Sequence, residues 1–248
     1  MRREPALSSV ETEKGTVREI LLASRHLGTR ERMLIYTPPR YSLLYSYPVL
    51  YVQDGDDYLS LGRLATLLDQ LIGRREITGV IAVFLPIDKE ERASRYHPAG
   101  SQHQAYKRYL AEEVVSYVDT HYSTHPLGGA RALLGESLGG VVSLFTALTY
   151  PHTFGSAASQ SGAFDAEQVD YVLHAHGVNQ LSLYLEVGEQ ETAVETARGI
   201  LDLYAANRNM RDALHKKGAT LRFETFAGDH TWKYWQETLP RILRHFYG

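Results

Sequence analysis

Apolar residues along the chain fall into short unbroken runs separated by stripes of helical spacing. Pro48-Val49-Leu50-Tyr51-Val52, closed by the turn residues Asp54-Gly55, and Val80-Ile81-Ala82-Val83-Phe84-Leu85, closed by Pro86, are runs of strand length. Runs of this kind suit strands buried on both faces of a parallel sheet. Between them, from Leu59 to Ile72, apolar residues recur at 61, 64, 65, 68, 71 and 72, which predicts a helix. A polar segment over 87–104 follows, and then a helix over about 105–122 with apolar positions 106, 110, 114, 115 and 118. The alternation continues with a strand at Arg131–Leu134, a helix from Leu138 to Leu148, and strands at 155–159 and 181–187. A long helix over about 191–217, a strand at 220–226 and a closing helix over about 231–246 complete the pattern.

Ahead of this repeat, residues 16–22 and 32–36 carry strand signals on either side of His26-Leu27-Gly28-Thr29, which predicts a hairpin turning at Gly28. Pro38-Pro39 stops its second strand. Residues 1–15 are polar and aperiodic, a tail or edge segment. An antiparallel start followed by strand–helix repeats predicts an α/β fold: a mostly parallel, doubly wound sheet with an N-terminal hairpin and helices on both faces. No Pro/Gly/Ser linker divides the chain, so residues 16–248 are expected to form one domain.

Composition removes several chemistries. The 248 residues contain no cysteine, which excludes disulfides, thiolate zinc, iron–sulfur clusters and a cysteine nucleophile. With 26 Lys and Arg against 29 Asp and Glu, the net charge is −3, so no basic footprint for nucleic acid is present. No stretch approaches the roughly 18 apolar residues of a membrane span. Met1-Arg2-Arg3-Glu4-Pro5 has no apolar run behind it, so no secretory signal is seen and a cytoplasmic location is expected. No cofactor is expected: neither a G-x-G-x-x-G opening a helix nor a Walker loop is found. A metal is not expected either. His121 and His125 share helical spacing, but Pro126 follows and no nearby carboxylate completes a site. Asp54, Asp56 and Asp57 lack the remaining ligands of a calcium loop. A homo-oligomer is compatible with the sequence.

Gly135-Glu136-Ser137-Leu138-Gly139 matches G-x-S-x-G and falls between a strand and a helix. A serine on such a tight turn is pushed above the sheet edge, and the flanking glycines remove Cβ atoms that would clash. Ser137 is therefore the candidate nucleophile, and it needs a base. In the chain order serine, acid, histidine, His230 is the one downstream histidine in the loop between the last strand and the last helix. That loop emerges at the same carboxyl edge of a parallel sheet. The acid should follow the strand at 181–187. Glu191 is the first choice and Glu189 the second. Two backbone N–H groups should stabilise the developing oxyanion, one from Leu138 and the other, in the Gln53–Tyr58 loop, from Asp56.

With these residues in place the chain resembles an esterase family of the α/β-hydrolases that includes enterochelin esterases, esterase D-like enzymes, feruloyl esterase domains and mycolyltransferases. The resemblance runs from about residue 15 onward. It rests on Tyr36-Thr37-Pro38-Pro39, Val49–Gly55, the Ser137 turn, Ser159-Gln160-Ser161-Gly162, Gly188-x-x-Glu191, and His230-x-Trp232 with Trp235. It implies a single-domain α/β-hydrolase that cleaves a small-molecule ester, with Ser137, Glu191 and His230 at the catalytic positions and the N–H groups of Asp56 and Leu138 as oxyanion donors. An acyltransferase or thioesterase on the same triad, or a binding module retaining the fold, is the alternative. Gly55, Tyr58, Arg92 and Trp232 are candidate substrate contacts; Tyr96 and Trp235 would extend an aromatic pocket, and Arg92 or Arg95 would attract an anionic acid. Two positions depart from the family pattern: Arg95 stands where relatives often have a glutamate, and Asp229 where they often have glycine.

Overall fold

The computed structural model describes residues 13–248, so most of the expected tail, residues 1–12, lies outside the described residues. The expected hairpin is β1 (Thr16–Ala23) and β2 (Arg30–Thr37), antiparallel in register from Thr16 opposite Thr37 to Ala23 opposite Arg30. Gly28 turns the chain with a φ of 73°, in the left-handed region open to glycine. The two apolar runs form β3 (Val49–Gln53) and β4 (Ile81–Leu85), every residue of both buried. They are followed by β5 (Arg131–Glu136), β6 (Ser156–Gln160), β7 (Ser182–Gly188) and, last in the chain, β10 (Thr220–Phe226). One eight-stranded sheet results, in the order β1-β2-β4-β3-β5-β6-β7-β10. It is antiparallel from β1 to β4 and parallel from β4 onward.

Because side chains alternate along a strand, the sheet feeds two cores. Val49, Tyr51, Ile81, Val83 and Leu133 point to one face; Leu50, Val52, Ala82, Phe84, Ala132 and Leu134 point to the other. The second face is covered by α2 (Leu64–Gly73) and α9 (Trp232–Tyr247) through Leu68, Leu71, Leu239 and Ile242. The first is covered by four elements: the helix beginning as α4 (His103–Arg108) and ending as α5 (Val115–His121), then α6 (Leu138–Thr149), α7 (Ala166–His174) and α8 (Leu203–Lys216). A π-helical turn, Tyr109–Val114, joins α4 to α5.

Three expectations are corrected. The helix expected over 59–72 is interrupted: α1 (Gly55–Ser60) stops and α2 restarts after Arg63, whose φ is 50°. The long helix expected over 191–217 is helical only in its second part. Its first part is a two-stranded antiparallel hairpin, β8 (Val194–Thr196) and β9 (Gly199–Leu201). Gly199 takes a φ of 100°, incompatible with a helix, and Asp202 caps α8 by accepting the Ala205 N–H at 2.8 Å. The polar segment 87–104 holds a helix, α3 (Lys89–Tyr96), and α7 was not expected. α3 is almost wholly polar, KEERASRY, whereas α7 carries Val169, Val172 and Leu173 at helical spacing in a stretch too short to stand out in the sequence. Among the described residues no helix is long and apolar enough to cross a membrane.

Leu239, fully buried between α9 and the sheet, is expected to cost about 2–5 kcal/mol when cut to alanine. Leu44→Ser, at a position 89% exposed, should stay within about 0.5 kcal/mol. Urea unfolding of both variants checks the assignment; equal losses would contradict it.

Candidate active site

The carboxyl ends of the parallel strands β5, β7 and β10 deliver Ser137, Glu191 and His230 to one edge of the sheet. Ser137 joins β5 to α6 with φ 53° and ψ −120°, a conformation that costs a non-glycine residue about 1–3 kcal/mol. Its surroundings hold it there. The Ser137 N–H donates to Gln160 O at 2.9 Å, and the Ser137 carbonyl accepts from Ala163 N at 3.1 Å. The flanking glycines are required by contact: a Cβ on Gly135 would strike the Gly139 backbone, and one on Gly139 would meet the Asp54 carboxylate.

His230 Nε2 lies 3.1 Å from Ser137 Oγ, and His230 Nδ1 lies 2.7 Å from Glu191 Oε2. A carboxylate only accepts, so Nδ1 carries the hydrogen and Nε2 is left to accept from the serine hydroxyl. Glu191 is sealed from solvent. Its Oε1 accepts from Ser161 Oγ at 2.6 Å and from Gly188 N at 2.8 Å. Ser161 in turn accepts from the indole N–H of Trp235 at 2.9 Å, and the Trp235 ring meets the His230 ring edge-on, with centroids 4.8 Å apart. Glu189 is exposed and accepts from the Thr225 hydroxyl instead. Of the two carboxylates left open by the sequence, the structure brings only Glu191 to His230.

Ser137, Leu138 and His230 line a cavity of about 300 Å³ together with Arg92, Ala93, His97, Ala163 and residues 195–198. Asp56 lines a neighbouring cavity of about 490 Å³ with Asp54, Asp57, Lys89, Glu136 and Arg92, and its side chain pairs with Arg32 at 2.8 Å. Arg92 borders both cavities. The other expected substrate contacts sit deeper. Gly55 and Tyr58 are buried, Tyr58 donating to Gln160 Oε1 at 2.8 Å. Trp232 packs edge-on against Tyr58 and Trp235. Tyr96 is buried and its hydroxyl accepts the Asp54 N–H at 3.1 Å. Arg95 is buried in ion pairs with Glu31 and Glu91 at 2.8 and 2.6 Å, away from the serine. Asp229 accepts from the Thr231 hydroxyl at 2.6 Å, a turn contact that glycine would not make.

Arg198, on the β8–β9 hairpin, was not anticipated. It donates to Asp165 Oδ2 at 2.8 Å and to Ala163 O at 2.6 Å, and so closes one wall of the serine cavity. Only the hairpin that replaces the expected helix puts it there. Ser161 was visible only as part of the Ser159–Gly162 motif; its bond to Glu191 needed the fold. Among the described residues, no cluster of His, Cys, Asp and Glu is placed to hold a metal ion.

A sequence-family model described as "Putative esterase" matches residues 24–246. The chain belongs to this family. It is a carboxylic ester hydrolase of the α/β-hydrolase type. YjcH of Bacillus subtilis, an uncharacterised protein, is 41% identical over 234 residues, covering 94% of this chain and 98% of YjcH. A ferulic acid esterase superposes with a TM-score of 0.77 at 17% identity over 95% of this chain and 98% of that one. The enterobactin esterase of Shigella flexneri superposes with a TM-score of 0.80 at 20% identity, covering 93% of this chain and 58% of that enzyme. At these identities the two superpositions establish the shared fold.

Behind the site, Glu186 is buried and accepts from Gln160 Nε2 at 2.7 Å and from the Thr238 hydroxyl. Burial pushes its carboxyl from 4.5 up to about 7, against the pull of the Thr238, Gln160 and Tyr184 donors. The raised value means that the folded esterase keeps a proton which the unfolded chain releases near 4.5. Stability from this group is complete below that pH and is lost as pH rises to about 7. Urea unfolding at pH 5 and pH 8 should therefore show a smaller loss for Glu186→Gln than for the wild type. An equal loss would place the buried proton elsewhere.

Proposed function

We propose that this esterase hydrolyses small-molecule carboxylic esters through a Ser137–His230–Glu191 triad and an acyl-enzyme. The observation that carries the reading is the continuous relay of 3.1 and 2.7 Å from the Ser137 hydroxyl through His230 to a carboxylate fully sealed from water. His230 Nε2 takes the Ser137 proton as Oγ attacks the ester carbonyl, and Glu191 stabilises the imidazolium that forms. The carbonyl oxygen becomes an oxyanion received by the Leu138 N–H and the Asp56 N–H. Both belong to first turns of helices, where N–H groups have no partner within the helix. Asp57 and Tyr58 donate to Asp54 O at 3.0 and 3.1 Å, which leaves the Asp56 N–H outside that turn. Collapse of the intermediate expels the alcohol with a proton from His230. Water, activated by the same imidazole, then attacks the acyl-serine and releases the acid.

The aromatic residues around the imidazole support this role. Trp235 braces the His230 ring and also holds Ser161 against Glu191, so the acid and the base are oriented by one side chain. The serine cavity, with Ala93, Leu138 and Ala163 among its walls, suits a compact acyl group.

Ser137→Ala is expected to abolish p-nitrophenyl acetate hydrolysis and fluorophosphonate labelling while the circular dichroism spectrum is retained. Glu191→Gln should lower kcat by about 10³- to 10⁴-fold, as replacing a triad acid by its amide does, whereas Glu189→Gln should stay within about twofold. Turnover surviving in Ser137→Ala, or the two glutamates exchanging effects, would overturn the assignment.

A further inference from the structure

Arg92 projects from α3 into the gap between the two chain segments that flank Ser137. Its Nε and Nη2 donate to the two oxygens of Asp54 at 2.7 and 2.9 Å, and Nη2 also donates to Glu136 Oε1 at 2.8 Å. Asp54 follows β3 directly and caps α1 in the left-handed region, with φ 50°, and so sets the direction in which the chain leaves toward Asp56. Glu136 ends β5 immediately before Ser137. The contact continues into α6, because a Cβ on Gly139 would stand 2.5 Å from Asp54 Oδ2. Guanidinium, Asp54 carboxylate and first turn of α6 are therefore stacked without slack.

Charge makes the tie hard to release. The side chains of Asp54 and Glu136 are 4% and 8% exposed, and one guanidinium serves both. Burial works to raise the carboxyls of both Glu136 and Asp54, and Arg92 opposes it at both. Burial works to lower the Arg92 guanidinium as well, but Asp54 and Glu136 outweigh it and hold it above its ordinary value. Removing the guanidinium would leave two carboxylates out of water with no cation between them, which is a severe penalty. Only the planar fork of arginine grips one carboxylate with two N–H groups while reaching a second; an ammonium is a point charge.

We propose that Arg92 is a positioning residue: by tying Asp54 to Glu136 it fixes, relative to one another, the two segments that carry the Asp56 and Leu138 N–H groups. The inference rests on the oxyanion reading given above and assigns Arg92 a role other than the substrate contact expected from the sequence. A donor displaced by about 1 Å loses its effect on the transition state while ground-state binding is little changed.

The test compares Arg92→Lys with the wild type, using p-nitrophenyl acetate for turnover and phenylboronic acid as an inhibitor. The boronate becomes tetrahedral on the serine hydroxyl and presents an oxygen where the oxyanion forms. Fluorophosphonate titration counts competent sites, so kcat is expressed per folded enzyme. The expected result is a kcat lowered about 10- to 100-fold, a KM within about threefold of wild type, and a boronate inhibition constant raised in step with the fall in kcat/KM. If Arg92→Lys does not fold, Arg92→Gln combined with Glu136→Gln removes one charge of each sign, and the same split is expected. A raised KM with unchanged kcat would make Arg92 a substrate contact and overturn the proposal. So would a lowered Tm with unchanged kcat per titrated site. Failure of the nucleophile assignment on which that reading rests is seen separately, as phenylboronic acid binding, measured by calorimetry, that is the same in Ser137→Ala as in the wild type.

Discussion

A carboxylate held entirely out of water has to find every hydrogen bond inside the protein, and Glu191 is such a group. Meeting that requirement draws in much of the surrounding structure. One oxygen needs the Gly188 N–H at the end of β7 and the Ser161 hydroxyl after β6; the other needs the His230 ring. Ser161 is held in turn by the indole N–H of Trp235 on α9, which donates to it from behind. Two strand ends, the loop after the last strand and the closing helix are thus fixed relative to one another by a single buried charge site.

Besides the left-handed Asp54 after β3, the same edge stores backbone strain at two serines. Ser137 and Ser161 both adopt positive φ, at 53° and 50°, each following a strand of the parallel sheet. In both cases the neighbouring strand compensates: Ser137 N–H bonds to Gln160 O, and Ser161 N–H bonds to Glu186 O at 2.7 Å. The ladder of β5, β6 and β7 therefore continues one residue past each strand, into the turns themselves. A rigid central sheet is what allows two unfavourable conformations to persist side by side.

Much of this was legible in the sequence where a single physical cause dominates. The runs at 49–53 and 81–85 read as strands because both of their faces are buried. Ser137 read as a turn residue because its two flanking glycines meet backbone and carboxylate at contact distance. His230 could be placed by its loop alone. What could not be read depends on contacts between distant segments. Nothing local separates Glu191 from Glu189; the turn after Gly188 points one inward and the other to Thr225. Tyr58 and Tyr96 carry polar tips that suggest a binding pocket, yet those tips serve Gln160 and Asp54 in the interior. The segment 194–201 has enough apolar residues to extend a helix, and the glycine at 199 decides against it. Arg198, which had no place in the expected pocket, reaches the cavity on this hairpin.

That hairpin differs in kind from the rest of the molecule. It is a two-stranded sheet apart from the main one, Ile200 in the middle of β9 is 70% exposed, and Arg198 at the turn anchors it through Asp165 and a backbone carbonyl. Val194 and Leu201 seat it on the main core, while Thr196, Ala197 and Arg198 at its turn face the cavity wall. A change confined to that turn would therefore reshape the wall beside Ser137 without touching a residue of the eight-stranded sheet.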